Sequence, residues 1–455
     1  MKLFKLRLTT LKSKLYAIVF ASFVLRVVAF FALPNTASNL APDEGTYASL
    51  TQWIGMSKPA TDFPVYGEML YLSGRALILP SAFFFRIGID SLDAVRLTAS
   101  IYGILTLIVA TTLIHSLYNS LGRVRKGLDS LAVLMVIAMA FLPSPFVWSI
   151  LGLRESATTF WVILAFMSYF KISQGDLEDK GTFLLTLIIS IILLFSSRPQ
   201  VGWVLVVTLI FCALFVSRVR LALVPVLLIS MFIGYLGTTP KSELEVITYS
   251  VETVNGIIID QQSAAGCLQD RQIFELDGQK IVCIQKIVIQ RNPGTALVNE
   301  IQEIDYHRGA NQVGAASVIE TSQCPVNDAT KIGKYFCLVY RAPYTTFAFL
   351  FRPILGPDVT SSSSLFAAAE NIFWLAALLF VAVMFIRNRR LAFLRALAPS
   401  LLFFTIYCVA AGAYEGNMGT AFRHKSLILW VVILLLASTI VATQQRKAER
   451  EGISG

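Results

Sequence analysis

The sequence predicts an all-α polytopic membrane protein with about ten transmembrane helices. Of its 455 residues, 56% are hydrophobic and only 15% are charged, and the mean hydropathy is +0.68. A soluble chain of this length cannot hide so much apolar surface, so lipid is the solvent for most of it. Apolar runs of about 20 residues, the length that a bilayer core requires, recur along the chain.

The predicted spans alternate with short basic segments. We place the spans near 15–33, 94–117, 130–149, 156–172, 181–196, 201–217, 220–238, 366–386, 397–413 and 425–443. The segments KLFKLRLTTLKSK, GRVRKG, SRVR, RNRRLAFLR and QQRKAER then all fall on one side of the membrane. Because positive loops stay in the cytoplasm, we expect a multi-pass protein of a bacterial inner membrane with both termini cytoplasmic. The net charge of +10 is assigned to this orientation and not to nucleic acid.

The first outer loop, 34–93, is predicted to contain helices that lie in the membrane interface. Its stretch 69–87 is apolar, but it contains Arg75, Pro80 and Arg86. An additional span there would also move GRVRKG to the outside, so we interpret the stretch as an interfacial helix.

The first span is interpreted as a retained signal anchor. It contains Arg26, which is expected to face the interior of the bundle because a charge exposed to lipid is costly. The spans divide the chain into a seven-helix module at 1–238, an extracytoplasmic segment at 239–365 and a three-helix segment at 366–455.

Polar residues are concentrated at the outer ends of the spans. Two adjacent acids, Asp43 and Glu44, come soon after the first span. Other outer ends carry Arg154, Glu155, Arg198, Arg423, His424 and Lys425. Arginine presents a planar fork of donors that matches phosphate or carboxylate, so the cluster indicates a phosphate-bearing ligand. The alternatives are that the arginines extend to lipid headgroups, and that Asp43 only caps the N-terminus of a helix.

Four of the six cysteines lie in the extracytoplasmic segment, where the compartment is oxidising. They are Cys267, Cys283, Cys324 and Cys337. We expect two disulfides, for which three connectivities exist, and we favour pairing of neighbours because it closes short loops. Zinc is the alternative, but the segment has no CxxC and His307 is its only histidine. The other two, Cys212 and Cys408, lie within spans and are expected to be inert.

The stretch APDEGTYASL, followed by interfacial helices and then by SLDAVRLTASIYGILTLIVA, resembles the start of the GT-C superfamily of polytopic glycosyltransferases. That superfamily includes the protein O-mannosyltransferases and the aminoarabinose transferases of lipid A. Its members have a catalytic Asp, often followed by Glu, in the first outer loop of a seven-span core. The resemblance covers about the first 240 residues. LGLRES, SSRPQ, FRPILG with AAAENIFWL, and EGNMGTAFRHKS instead resemble motifs of bacterial polysaccharide membrane proteins.

The resemblance implies transfer of a sugar, with inversion, from a polyprenyl-phosphate carrier to a hydroxyl group of a glycan, lipid or protein acceptor. Asp43 would draw the proton from the acceptor, and Glu44 would orient the acceptor or a metal, or support the loop. The candidates for binding the donor phosphate are Arg154, Arg198, Arg423, His424 and Lys425. No metal ligand set and no cofactor is assigned, because the chain has three histidines and no GxxxxGK[ST], although a divalent cation stays open.

Two other classes of function remain alternatives. A polymerase or ligase of lipid-linked saccharides would use outer arginines to bind phosphate and would not need Asp43 as a base. A flippase or an assembly subunit without enzymatic activity would need no single essential acid.

The charge pattern makes a prediction about topology. Single cysteines introduced into a cysteine-free background at 120–128 and 387–395 should react only with reagents that reach the cytoplasm, because both segments are basic. Labelling of intact cells and of inverted vesicles measures this. Reaction of either segment from the outside would contradict the ten-span topology.

Overall fold

The computed structural model describes residues 10–36, 41, 43–63, 67–119, 128–174, 180–215, 220–238, 245–251, 274–276, 279–288, 331–359, 362–387, 391–415 and 418–450. The first two thirds of the described chain is helical. Its helices are α1 Leu11–Ala32, α2 Asp43–Gly55, α3 Gly67–Arg86, α4 Ser91–Asn119, α5 Asp129–Phe141, α6 Pro143–Val147, α7 Arg154–Gln174, α8 Lys180–Phe195, α9 Pro199–Phe215 and α10 Arg220–Leu236, with a 3-10 turn at Ala60–Asp62. Several boundaries follow from sequence: Pro143 and Pro199 begin helices, because proline fits the first helical turn.

A small antiparallel sheet follows α10. Its strands are β1 Glu245–Val251, β2 Phe274–Leu276 and β3 Gln279–Val288, in the order β1-β3-β2. Sequence analysis did not predict these strands. Both longer strands are rich in valine and isoleucine, which favour β-structure. These runs are short and lie in a polar stretch, so they give a weaker signal than the long apolar runs of the helices.

In the part of the chain described after the sheet there are four helices: α11 Lys331–Phe351, α12 Ser362–Arg387, α13 Leu391–Tyr414 and α14 Met418–Arg450. Helix α11 lies inside the stretch 239–365 that was predicted as an extracytoplasmic segment, and it packs along α13 of the bundle. The two disulfides predicted among Cys267, Cys283, Cys324 and Cys337 stay a prediction, because their side chains lie outside the described part of the chain. Cys267 and Cys324 lie outside the described residues, and the side chains of Cys283 in β3 and Cys337 in α11 are outside the described part as well.

Four helices are long and apolar enough to cross a membrane by length and composition: Leu11–Ala32, Ser91–Asn119, Ser364–Arg387 and Thr420–Gln445. Five further apolar helices are shorter: Asp129–Phe141, Lys180–Phe195, Pro199–Phe215, Leu223–Leu236 and Leu397–Ala413. The prediction of a helical membrane protein is thus supported. Nine of the ten predicted spans each overlap one helix, whereas 130–149 is divided between α5 and α6 with a break at Leu142. The number of helices that cross the membrane stays a prediction.

Helix α14 is the central element of the bundle. It packs against α4, α5, α6, α7, α12 and α13, and all the residues from Leu427 to Leu435 are buried. A helix that is apolar on every side is stable only inside a larger assembly, which explains this position. The consequence is that the polar first turns of α14 are placed beside the ends of several other helices.

The buried arginine of α1 joins that helix to the α5–α6 corner. Arg26 is only 1% exposed, and its Nε donates to Ser149 Oγ at 2.8 Å. Its other nitrogens donate to Ser22 and to the carbonyls of Ala140 and Pro145. The expectation that Arg26 faces the interior of the bundle is confirmed. Its hydrogen bonds replace the contacts with water that the guanidinium group loses on burial, and an isolated charge in lipid would have no such partners.

A second, smaller core lies where α2, α3 and α4 meet the turn at 148–153. Its members are Ala41, Tyr47, Ala48, Leu50, Leu77, Ile78, Leu92, Val95, Ala99, Trp148, Leu151 and Leu153. The segment 34–93, predicted as an outer loop with interfacial helices, is therefore a packed unit. Its core fixes the start of α2, at Asp43, relative to α4.

The contact between α11 and α13 depends on a glycine. A Cβ atom at Gly412 would lie 2.8 Å from the backbone N and Cα of Thr346, which cannot move aside as a side chain can. We expect Gly412→Ala to lower the free energy of unfolding by about 1–3 kcal/mol, the usual range for overpacking. Thermal unfolding in detergent measures it.

Gly181→Ala is the matched control, because nothing lies within 4 Å of a Cβ at that helical glycine. It should be neutral or stabilising, since alanine favours a helix more than glycine does. Equal melting temperatures for the two variants would mean that α11 and α13 can separate without cost.

Candidate functional site

The polar residues of the bundle converge where α1 ends and α2, α4, α7, α9 and α14 begin. We call this the site end. The two adjacent acids at the start of α2 point to different partners there. Glu44 is fully buried, with Oε1 2.8 Å from Arg96 Nε and Oε2 2.9 Å from Arg96 Nη2. Asp43 is about half exposed and pairs with Arg423.

The Glu44–Arg96 pair is a structural clamp. Arg96 also donates to the carbonyls of Pro34 and Thr36, and Glu44 accepts from the backbone amide of Gly152 at 2.7 Å. The pair therefore joins the chain after α1 and the start of α2 to α4 and to the turn before α7. The hydrogen bonds satisfy both charges, which a buried ion pair needs in order to be stable.

Gly152 makes this clamp possible. A Cβ atom there would lie 2.7 Å from Val95 Cγ1 and 3.2 Å from Glu44 Cγ. Only glycine lets the backbone amide come so close to the Glu44 carboxylate. Glu44 is enclosed by these partners, so its position does not support direct contact with a substrate. Its contacts agree with the other predicted role, which is support of the loop.

A second group of charges surrounds Glu155, at the start of α7. Its Oε1 lies 2.9 Å from Arg198 Nη2, 3.2 Å from Arg423 Nε and 3.9 Å from His424 Nε2. The contact with Arg423 Nε is an ion pair without hydrogen-bond geometry, since that nitrogen has no hydrogen-bond partner among the described residues. Arg423 in turn donates through Nη1 to Asp43 Oδ2 at 2.7 Å.

Glu155 is ionised despite its burial. Desolvation alone would raise the pKa of this carboxyl group, but the positive charges of Arg423 and Arg198 outweigh it and lower the pKa from 4.5 to about 2. The carboxylate is thus a fixed negative charge that holds two arginines from different parts of the chain. Its other oxygen, Oε2, is buried and has no hydrogen-bond partner among the described residues.

A cavity of about 10 Å³, at the lower limit of what can hold one water molecule, lies against Glu155. Ser144, Trp148 and Glu155 are among the residues that line it, and each has a buried polar atom without a hydrogen-bond partner in the described part of the chain. Ser149, the partner of Arg26, also lines it. The cavity therefore lies between Glu155, in the ion cluster, and Ser149, which accepts a hydrogen bond from Arg26 of α1.

The other predicted phosphate ligands on α14 have protein partners. His424 Nδ1 hydrogen bonds to Glu415 Oε1. Lys425 donates to the carbonyl of Arg352 and to Asn371 Oδ1, the latter at 3.4 Å. Lys425 is 2% exposed, so it anchors the turn after α11 and is turned away from the Asp43–Arg423 pair.

Arg154 is the predicted phosphate ligand with the weakest protein contacts. Its Nη1 donates to Ser73 Oγ at 3.1 Å, and no carboxylate pairs with it among the described residues. Tyr47, one turn after Asp43 on α2, lies near it. Burial raises the pKa of the Tyr47 phenol, and this effect is larger than the lowering of the pKa by the positive charge of Arg154. The phenol is therefore a neutral hydrogen-bonding group close to both Arg154 and Arg423.

The described residues contain no group of three or more His, Cys, Asp or Glu side chains arranged to hold a metal ion. The site end instead combines one half-exposed carboxylate, Asp43, with arginines held in place by a buried one. Such an arrangement suits an anionic ligand and a proton transfer. Comparison of the chain with known protein families, with curated proteins and with solved structures gives no match.

The structure brings together five of the residues predicted for the site, around one ion cluster: Asp43, Arg154, Arg198, Arg423 and His424. Their predicted roles in catalysis and phosphate binding stay predictions. The sequence pattern placed them all at outer ends of spans. It did not find the partners Arg96, Glu155 and Glu415 in their present roles. Glu155 had a usable signal, because an acid next to Arg154 at a span end is unusual. The role of Arg96 had none, since its position on α4 relative to Glu44 is a tertiary feature.

The clamp leads to a stability prediction. Glu44→Gln keeps the shape of the side chain but leaves the buried Arg96 charge uncompensated, so we expect a loss of about 3–5 kcal/mol in the free energy of unfolding. Denaturant titration in detergent measures it. Asp62→Asn, an equal change of charge at an exposed acid of the same segment, should stay within about 0.5 kcal/mol of the wild type. A Glu44→Gln variant as stable as Asp62→Asn would contradict the clamp.

Proposed function

We propose that this chain is a membrane glycosyltransferase that moves a sugar from a polyprenyl-phosphate carrier to an acceptor hydroxyl group outside the cytoplasm. The observation that carries the proposal is the contact of Asp43 with Arg423, two residues 380 positions apart in sequence. A candidate base and a candidate phosphate ligand are thus neighbours at one end of a bundle of apolar helices. The acceptor is a cell-surface glycan, lipid or protein, and the enzyme belongs in a bacterial inner membrane.

Asp43 is suited to act as the general base. Its side chain is 52% exposed, so an acceptor can approach it from the site end. In the proposed reaction the acceptor oxygen attacks the anomeric carbon of the sugar, and its proton passes to Asp43. The bond between that carbon and the phosphate oxygen breaks, and the phosphate leaves with the bonding electrons. Attack opposite the leaving group gives inversion, as in the superfamily that the sequence resembles.

The arginines are suited to bind the phosphate and to stabilise the charge that develops on it. Arg423 and Arg198 are positioned in advance by Glu155, so no reorganisation is needed when the phosphate leaves. Arg154 adds a guanidinium group that is in ion-pair contact with no carboxylate of the described part. The lipid tail of the donor would lie against the apolar helix surfaces below the site end, within the bilayer.

The decisive variant is Asp43→Asn, which keeps the size of the side chain but cannot accept a proton. We expect turnover to fall by roughly 10²–10⁴, the usual contribution of general acid–base catalysis. The assay uses purified protein in nanodiscs with a polyprenyl-phosphate sugar and a membrane-derived acceptor. Asp62→Asn is the matched control and should keep its activity, because it changes an exposed acid away from the ion cluster.

The arginine variants separate the proposal from the main alternative. Arg198→Ala should weaken both donor binding and turnover, because it removes a charge-assisted contact to phosphate and leaves Glu155 without one of its partners. If Asp43→Asn keeps near-normal turnover while Arg198→Ala is inactive, the base is elsewhere. The function then becomes that of a polymerase or ligase of lipid-linked saccharides.

A further inference from the structure

Arg423 is shared by two carboxylates that differ in how firmly they hold it. Glu155 approaches Nε, and Asp43 accepts from Nη1. The Glu155 side chain is 6% exposed, whereas that of Asp43 is 52% exposed. The Arg423 side chain keeps an exposed fraction of 14% although its Nε is buried, so the side chain is not sealed off from the site end.

Glu155 is the partner that cannot leave. It lies in the first turn of α7 and pairs with Arg198 as well as Arg423. Its displacement would leave the buried Arg198 without a counter-charge and Arg423 with the half-exposed Asp43 alone, which is strongly unfavourable. Glu155 therefore acts as a positioning residue for Arg423, whichever other anion that arginine contacts.

Asp43 is the partner that can leave. It makes one ion pair, at the exposed start of α2, and solvent can take over its charge when that pair breaks. Exposed pairs of this kind change an equilibrium constant by about fivefold at most. A phosphate can accept two parallel hydrogen bonds from a guanidinium group and so competes well for the same nitrogens.

We infer that Asp43 and the phosphate of the donor compete for Arg423, so that donor binding releases Asp43 to act as the base. The inference rests on the proposed function for the identity of the anion. While Oδ2 of Asp43 holds Arg423, that oxygen is not available to the acceptor hydroxyl. When the donor phosphate replaces the Asp43 carboxylate at Arg423, the leaving group is bound at the arginine. In the same step Asp43 is released and can act as the base. The donor then binds before the acceptor is activated.

The exchange predicts the direction in which the affinity for phosphate changes. Loss of the Asp43 charge should strengthen phosphate binding, although it lowers turnover. The probe is farnesyl phosphate, with farnesol as the ligand that lacks the phosphate, and binding is measured in nanodiscs. We expect Asp43→Asn to bind farnesyl phosphate about three- to fivefold more tightly than the wild type. Asp62→Asn should leave this affinity unchanged, because the same loss of charge occurs away from Arg423.

A double-mutant cycle distinguishes competition from general repulsion between Asp43 and the phosphate. In an Arg423→Ala background, Asp43→Asn should no longer strengthen binding, because there is no guanidinium group to compete for. Equal strengthening with and without Arg423 would overturn the exchange, as would no strengthening by Asp43→Asn alone. Melting temperatures of all the variants verify that each one is folded.

The measurements distinguish failure of the exchange at Arg423 from failure of the proposed phosphate site. If the wild type binds farnesyl phosphate more tightly than farnesol but Asp43→Asn has no effect, only the exchange is wrong and the proposed phosphate site stands. If the phosphate group adds nothing to binding by the wild type, both the proposed phosphate site and the exchange are wrong.

Discussion

The buried carboxylate of Glu155 is the constraint on which the site end depends. Its Oε1 is within 4 Å of the guanidinium groups of Arg198 and Arg423 and of the His424 ring, which come from the starts of α9 and α14. A negative charge in that position is stable only with these cations around it, and the cations are stable inside the bundle only with Glu155. The four side chains therefore fix the relative positions of α7, α9 and α14. Through Arg423 they also reach α2.

Two adjacent acids of the same chemistry have different roles because their surroundings differ. Glu44 points into the small core beside α4, where Arg96 and the amide of Gly152 enclose it. Asp43 is at the rim, where water reaches it and only Arg423 holds it. Burial and full hydrogen bonding suit a structural ion pair, whereas partial exposure suits a group that must exchange protons or partners. The clamp at Glu44 keeps Asp43 in place.

The central position of α14 connects the apolar core to the polar site. Its buried residues Leu427 to Leu435 hold it among α4, α5, α7, α12 and α13. The residues just before them, Arg423, His424 and Lys425, are thereby brought to Glu155, Glu415 and the turn after α11. Three neighbouring basic residues thus contact three different parts of the structure. Their direction is set by the helical repeat, which rotates successive side chains by about 100°.

The sequence by itself determined the helical membrane character and the ends of helices at which polar residues collect. Both follow from local composition, because a bilayer requires long apolar runs and leaves charges at their ends. It missed the sheet at 245–288, because a short run of valine and isoleucine is a weaker signal than an apolar run of bilayer length. Only the tertiary structure decided that Glu44 pairs with Arg96, and that Arg198 and Arg423 share Glu155. These partners are 43 to 268 residues apart, and which charges meet depends on how the helices pack.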